Sequence, residues 1–308
     1  MKTMYQYLDD YFEWRRSLKK SGKTIKKNKR GCLPFIKWLK DRYQADTPDK
    51  ICKEHLHEWQ KHIGSRVNKD GYPLKPRTIN TYQESIRGFL RYLFTYGHMY
   101  KDLTHEIQYV KKPQTLPGSV LSHAQMRSML MRIRTDTLTG YRDRAILELL
   151  YSSGIRVGEL LGIDISHVDL KQHTMMVTGK GNKQRIVPIG ATALRYLETY
   201  IVAVRPNLLK DKTEKALFLA NKGQRLKYQT LANSIHAYAA QNGYENVTPH
   251  TFRRSCTTEL IRGGANMYHV KELLGHECLD TLNHYVKLTI NDLKKTHEKC
   301  HPRENDSN

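Results

Sequence analysis

Residues 174–189, TMMVTGKGNKQRIVPI, contain the clearest β pattern in the chain. Residues 174–178 and 184–189 carry alternating and β-branched side chains, which are typical of strands. The GKGNK sequence between them supplies turn residues and therefore predicts an antiparallel hairpin. From residue 191 to about residue 297, helical patterns are broken by Gly, Pro and Asn. The sequence thus predicts a mainly α fold with a small antiparallel β-sheet, in the α+β class.

Helical periodicity also dominates residues 1 to about 107. The apolar spacing predicts helices over 3–18, 24–43 and 55–65, and a longer helix that starts after Pro76 and stops at Gly97. The apolar face of this last helix comprises Ile79, Tyr82, Ile86, Phe89 and Leu93. Its polar face comprises Arg77, Asn80, Glu84, Arg87 and Arg91. We expect the polar face to be available for a partner.

Residues 109–122, YVKKPQTLPGSVLS, have the composition of a linker. Pro113, Pro117 and Gly118 oppose a continuous helix, and Ser122 is a suitable N-cap for a helix that follows. A chain of 308 residues is long enough for two cores. The sequence therefore predicts a helical domain over 1–110, a linker over 111–121 and a second domain over 122–308.

The chain is strongly basic, with 52 Lys and Arg against 30 Asp and Glu and a net charge of +22. Such a charge attracts polyanions, and nucleic acid is the expected partner. The basic stretch 19–31, KKSGKTIKKNKRG, is compatible both with a solvated loop and helix start and with a contact to a DNA backbone. Lys111 and Lys112 suit a segment that crosses a phosphate backbone.

Other classes of protein fit the chain less well. It contains neither an apolar run of about 18 residues nor a signal-peptide core, so we expect no membrane association and a cytoplasmic, nucleoid-associated location. The five cysteines are odd in number and form no CxxC pair, which indicates reduced thiols. The His and Cys residues near the C-terminus match no zinc-finger spacing, and we expect no metal site.

Six polar residues in the second half form an ordered set. They are Arg156, Lys180, His250, Arg253, His276 and Tyr285, within SGIRVGELLGI, GKGNK, PHTFRRS, LLGHE and TLNHYV. Taken singly, each has an ordinary explanation; Arg156, for example, could pair with Glu159. Taken together, two arginines, a lysine and two histidines can surround a phosphodiester with positive charge and proton donors, and a tyrosine can attack it.

With these six residues in order, the sequence resembles the tyrosine recombinase (phage integrase) family, and within it the Xer-type recombinases. The resemblance covers nearly the whole chain. It implies that residues 1–110 are a core-binding (SAM-like) DNA-binding domain and that residues 122–308 are a catalytic domain with a C-terminal tail helix over 289–297. It also implies that Tyr285 is the nucleophile and that the other five residues form the catalytic pocket.

The chemistry implied by the resemblance is physically coherent. Arg156 and Arg253 can clamp the charge that grows on the phosphate, and His276 adds a donor. A free tyrosine has a pKa near 10, so forming phenolate at neutral pH costs about 4 kcal/mol, and His250 is the expected proton acceptor. Lys180 is the expected acid for the 5′-hydroxyl leaving group. No metal, ATP or other cofactor is expected, since one phosphoester replaces another.

The resemblance also implies partners and alternatives. We expect double-stranded DNA recombination sites, a homotetramer or a heterotetramer with a second similar recombinase, and strand exchange through a Holliday junction. The expected DNA contacts outside the pocket are Lys75, Arg77, Asn80, Arg87, Arg91, Lys111 and Lys112. A type IB topoisomerase and a catalytically silent DNA-binding accessory protein are the alternatives. Chromosome dimer resolution, mobile-element integration or excision and DNA inversion all stay open as cellular roles.

Overall fold

The computed structural model describes residues 2–111, 113 and 119–275, with Lys180 described by its backbone. The chain folds into two compact units, Met1–Thr115 and Leu116–Asn308. The expected linker residue Lys112, the expected site residues His276 and Tyr285, and the expected tail helix over 289–297 lie outside the described residues.

The first unit is helical. Its helices are α1 (Met4–Ser17), α2 (Gly22–Tyr43), α3 (Lys53–Ser65) and α4 (Pro76–Thr95), with single 3₁₀ turns at Pro48–Lys50 and Thr104–Glu106. In α4, Pro76 occupies the first turn and Gly97, at φ 70°, follows the last residue. The predicted apolar face of this helix is largely buried, with Ile86, Phe89 and Leu93 inaccessible to solvent. This face packs with Trp59 and Phe35 in one core.

The second unit consists of helices around a small sheet. Its helices are α5 (His123–Met131), α6 (Leu138–Ser153), α7 (Val157–Leu161), α8 (Ala191–Thr199), α9 (Arg205–Leu208), α10 (Tyr228–Gln241), α11 (Pro249–Arg262) and α12 (Met267–Leu274), and a π-helical turn over Tyr200–Val204 joins α8 to α9. Its strands are β1 (Val168–Asp169), β2 (Thr174–Thr178) and β3 (Gln184–Pro188), paired antiparallel in the order β1-β2-β3. The predicted fold class, mainly α with a small antiparallel sheet, is confirmed.

Helix α6 is the central element of this unit and packs against α8 and α11. It is buried on nearly all sides, including its charged residues. Arg142 pairs with Asp143 at 2.7 Å, and Arg144 pairs with Glu148 at 2.8 Å. Because these buried charges are paired, α6 can lie in the core and hold its C-terminal end in a defined position. In the described part of the chain, none of the helices combines the length and the apolar character required to cross a bilayer.

Candidate active site

The junction of α6 and α7 positions Arg156. Gly154, at φ 61°, ends α6, and Arg156 is the N-cap of α7. The Glu159 carboxylate accepts hydrogen bonds from the Arg156 backbone N–H and from its Nη1, both at 2.9 Å. Glu159 is 5% exposed, whereas the Arg156 side chain is 36% exposed. Arg156 is therefore anchored at its base and accessible at its tip.

Helix α11 positions Arg253. The helix begins at Pro249, a residue suited to the first turn, and Arg253 lies one turn later with only 4% of its surface exposed. Its Nη1 donates to the Gly154 carbonyl at 2.7 Å and its Nη2 donates to the Leu274 carbonyl at 2.8 Å. Arg253 thus connects the C-terminal end of α6 to the C-terminal end of α12.

Both predicted arginines converge on the last residues of α12. The Leu274 carbonyl accepts from Arg253, and the Gly275 carbonyl accepts from Arg156 Nη2 at 3.1 Å. Carbonyl groups at a helix C-terminus carry partial negative charge, so they suit a cationic pair. A phosphate oxygen accepts the same kind of hydrogen bond. His276, the next residue in the chain, lies outside the described residues.

The β2–β3 hairpin packs against Glu159, the residue that anchors Arg156. Lys180 begins the short turn Lys180–Asn182 between the strands. Gly179, directly before it, lies so close that a Cβ atom there would be 3.2 Å from Glu159 Oε1. The backbone that leads to Lys180 is therefore packed against the carboxylate that anchors Arg156.

His250 lies in the first turn of α11 and is exposed. Partial burial of the ring lowers the pKa of His250, and the charges of Arg253, Arg254 and Arg156 lower it further. His250 lies three residues before Arg253 in α11, so the two residues are on the same side of the helix. An imidazole with a lowered pKa is neutral at neutral pH and can accept a proton.

Sequence reasoning missed Arg185, which is central to this arrangement. Its guanidinium takes both oxygens of Glu159, from Nη1 at 3.0 Å and from Nη2 at 2.9 Å. Burial by itself raises the pKa of Glu159, but the hydrogen bonds from Arg185 and Arg156 bring it below its usual value. A signal was present in the hairpin, because the alternation that buries Val187 also turns Arg185 inward while Ile186 is 73% exposed.

The structure thus brings Arg156, Arg253 and His250 together and places the backbone of Lys180 on the adjacent hairpin. His276 and Tyr285 cannot be placed, because they lie outside the described residues. Residues 2–111, 113 and 119–275 contain no group of three or more His, Cys, Asp or Glu side chains arranged to hold a metal ion.

The residues expected to contact DNA in the first unit divide into two groups. The side chains of Lys75, Arg77, Arg91 and Lys111 are exposed. Asn80 instead holds the backbone of Val110, donating from Nδ2 to its carbonyl and accepting its N–H at Oδ1, both at 2.8 Å. The Arg87 guanidinium lies over the Tyr109 ring, 5.9 Å from its centroid. The predicted polar face is therefore partly used to hold the segment after the helical core.

The basic stretch 19–31 is mostly helical, since α2 begins at Gly22. Together with the start of α4 it lines a cavity of about 530 Å³. Five cations line this cavity: Lys23, Lys26, Lys27, Arg30 and Arg77. Lys27 is paired with Glu84 at 2.7 Å. The first unit thus concentrates positive charge between two helices.

Comparison with known proteins agrees with this geometry. Residues 119–291 match the model of the phage integrase family. The chain belongs to that family. It is 34% identical to the tyrosine recombinase XerD of Staphylococcus epidermidis, over 98% of this chain and 100% of that protein. It is also 34% identical to the tyrosine recombinase XerD of Lacticaseibacillus casei, over 87% of this chain and 89% of that protein.

A solved structure shows the same fold. It contains the Tn1549 transposon integrase in complex with a circular intermediate DNA, with a TM-score of 0.72, 17% identity and coverage of 97% of this chain and 99% of that chain. As a member of the phage integrase family, this protein is a site-specific tyrosine recombinase. Such enzymes break and rejoin DNA strands through a tyrosine intermediate, and DNA is the partner of this one.

Proposed function

We propose that this recombinase exchanges strands between two DNA sites through 3′-phosphotyrosyl intermediates and a Holliday junction. The observation that carries the proposal is the convergence of Arg156 and Arg253 on the carbonyls of Leu274 and Gly275. Two forked donors from different helices meet at one point there, next in the chain to His276. A phosphodiester bound at this point would receive donors from two sides.

In the proposed cleavage step, the Tyr285 oxygen forms a bond to phosphorus and the bond from phosphorus to the 5′-oxygen breaks. The Tyr285 proton passes to His250, whose lowered pKa keeps it neutral and able to accept. Lys180 donates a proton to the departing 5′-oxygen. Arg156, Arg253 and His276 stabilise the charge on the non-bridging oxygens. The reverse step, with a 5′-hydroxyl from another strand, rejoins the DNA.

We propose that DNA is held by both units, with the first unit using the basic cavity between α2 and α4. Lys75, Arg77, Arg91 and Lys111 are exposed and can neutralise phosphates. The expectation for Lys112 is retained as part of this proposal. Asn80 and Arg87 also stay proposed DNA contacts, although Asn80 is hydrogen-bonded to Val110 and Arg87 lies over the Tyr109 ring.

One active site cuts one strand, so exchange between two duplexes requires four protomers. We propose a homotetramer, or a heterotetramer with a second similar recombinase, in which the tail after Tyr285 docks on a neighbouring protomer. Chromosome dimer resolution, mobile-element integration or excision, and DNA inversion are the candidate roles. The same chemistry serves each of them, in the cytoplasm at the nucleoid.

The decisive experiment uses nicked suicide duplexes that carry candidate sites from the genome of origin, without metal or ATP. The wild-type protein should form a denaturant-resistant protein–DNA adduct, because the nick lets the cleaved strand diffuse away before it is rejoined. Tyr285→Phe should bind the same DNA with nearly unchanged affinity and form no adduct, since only the attacking oxygen is lost. Adduct formation is measured on denaturing gels.

The alternatives give other outcomes in the same assay. Relaxation of supercoiled plasmids that lack any candidate site would indicate a type IB topoisomerase. Tight binding without an adduct, even when a candidate partner recombinase is added, would indicate a silent accessory protein. An adduct that persists in Tyr285→Phe would exclude Tyr285 as the nucleophile.

A further inference from the structure

Arg185 joins three segments that the proposed reaction uses. From β3 it forms a two-pronged ion pair with Glu159, at 2.9 and 3.0 Å. Its Nε donates to the Leu273 carbonyl at 3.1 Å, near the end of α12. The Arg185 side chain is 18% exposed and that of Glu159 is 4% exposed, so water screens this ion pair weakly.

The carboxylate of Glu159 is shared between two arginines. Arg156 donates from its backbone N–H to Oε2 and from Nη1 to Oε1, while Arg185 supplies one donor to each oxygen. Because Arg185 supplies two of these four hydrogen bonds, Glu159 is satisfied without Nη2 of Arg156, which donates to the Gly275 carbonyl instead. This Nη2 group of Arg156 is the donor that we expect to bind the phosphate.

Close packing leaves little freedom to this arrangement. A Cβ atom on Gly275 would lie 2.9 Å from Arg185 Nη1, and one on Gly179 would lie 3.5 Å from the same atom. Gly275 also has a φ of 63°, where side chains are strained. The Arg185 guanidinium therefore fills the space between the residue before Lys180 and the residue before His276.

We propose that Arg185 is a positioning residue for DNA cleavage, acting through Glu159 on Arg156. It neutralises the buried Glu159 carboxylate, so that Nη2 of Arg156 can donate to the phosphate. It also connects the β2–β3 hairpin, which carries Lys180, to the end of α12. The inference rests on the proposed function, because it assumes that Arg156 binds the phosphate. Arg185 itself does not contact the DNA in this scheme.

A charge argument gives the proposal a distinctive signature. In Arg185→Gln, the buried Glu159 anion has lost its two-pronged partner, and Arg156 is drawn fully to it. Arg156 then binds the phosphate poorly, although DNA binding elsewhere is intact. Replacing the carboxylate as well, in Arg185→Gln/Glu159→Gln, removes the negative charge that attracts Arg156. Arg156 is then available to bind the phosphate. The double variant should therefore cleave faster than Arg185→Gln alone.

The experiment measures single-turnover cleavage of a suicide duplex at saturating protein, together with DNA affinity and Tm. Arg185→Gln should lower the cleavage rate constant by roughly 100-fold, the effect of losing one aligned transition-state donor, with a change in Kd of less than about threefold. The double variant should recover roughly tenfold of that loss. Arg185→Lys, which keeps the charge without the fork, should lie between wild type and Arg185→Gln. Ile186→Gln, at the exposed neighbouring position, is the matched control and should match wild type.

Three outcomes would overturn the proposal. They are a wild-type rate in Arg185→Gln, a double variant no faster than Arg185→Gln, and rate constants that simply follow Tm across the series. The last outcome would make Arg185 a stabilising residue only. If Arg185→Gln does not fold, Arg185→Lys is compared with Arg185→Lys/Glu159→Gln, and a double variant that cleaves no faster than Arg185→Lys overturns the proposal. An absence of adduct in the wild-type protein would contradict the proposed function instead, so the two failures are distinguishable.

Discussion

At the scale of single residues, the candidate site depends on the sharing of hydrogen-bond acceptors among cations. Arg156, Arg185 and Arg253 all donate to backbone carbonyls within Leu273–Gly275 or Gly154. Each arginine needs acceptors for its fork, and the ends of α6 and α12 provide carbonyls that have no partner within their own helix. The candidate site is therefore assembled on helix termini.

His250 allows a test of the proposed base at this scale. Because its pKa is lowered, the acid limb of the cleavage rate should lie below the usual histidine value of about 6.5. Arg254 contributes to that lowering, so Arg254→Gln should raise the pKa of His250 and move the limb to higher pH. Single-turnover rates between about pH 5 and about pH 8, with the imidazole resonance followed by NMR, measure both effects.

Arg262→Gln is the control for this prediction, because Arg262 lies at the far end of the same helix and pairs with Glu259 at 3.1 Å. It should leave the acid limb in place. An acid limb that stays fixed in Arg254→Gln while the imidazole resonance moves would show that His250 is not the base.

At the scale of elements, α4 has two functions along one polar face. Its exposed cations, among them Arg77, are free of the core, whereas Asn80 forms two hydrogen bonds to Val110. These two bonds satisfy both backbone groups of Val110 and so fix an otherwise irregular segment. The helix therefore both offers charge and holds the chain that leaves the first unit.

Asn80→Ala should lower the free energy of unfolding of the first unit by about 1–2 kcal/mol, because two hydrogen bonds to the backbone are lost. The measurement is denaturant unfolding followed by tryptophan fluorescence. All three tryptophans, Trp14, Trp38 and Trp59, lie in the first unit, so the signal reports that unit.

Arg77→Ala is the matched variant on the same helix. Its side chain is exposed, so stability should change by less than about 0.5 kcal/mol while DNA affinity falls. If Asn80→Ala instead kept full stability and lost DNA affinity, Asn80 would be a DNA contact, and its hydrogen bonds to Val110 would not stabilise the first unit.

At the scale of the whole molecule, charge is the dominant property. The net charge of +22 is not spread evenly, because Lys23, Lys26, Lys27, Arg30 and Arg77 line one cavity of the first unit. Cations held together by folding repel one another, and a bound DNA backbone relieves that repulsion. The same cations displace counterions condensed on the DNA. Binding to DNA should therefore be strongly dependent on salt.

The logarithm of Kd should rise linearly with the logarithm of salt concentration, and the slope counts neutralised phosphates. Lys26→Gln/Arg30→Gln should reduce this slope by about 2, since each cation contributes about 0.9. Lys50→Gln is the control, because Lys50 is paired with Asp46 at 3.0 Å and does not line the cavity. Equal slopes for all three proteins, measured by fluorescence anisotropy, would exclude the cavity as a DNA-binding surface.

Much of the fold follows from local sequence signals. Pro76 and Gly97 limit α4, Ser122 caps α5, and the GKGNK turn separates β2 from β3. These features act between residues close in the chain, through backbone conformation and hydrogen bonds of a single turn. The residues Arg156, Arg253 and His250 could also be named from sequence, because each lies in a distinctive local segment.

Other features depend on residues far apart in the chain, and no local pattern reveals them. Arg156 meets Gly275 across 119 positions, Arg185 meets Glu159 across 26, and Asn80 meets Val110 across 30. Whether an arginine holds a carboxylate, a carbonyl or a ligand depends on what the packed helices bring to it. The helices, the hairpin and the candidate reactive groups could be predicted from patterns local to the chain. Which of those groups share acceptors depends on distances that arise only when the chain is folded.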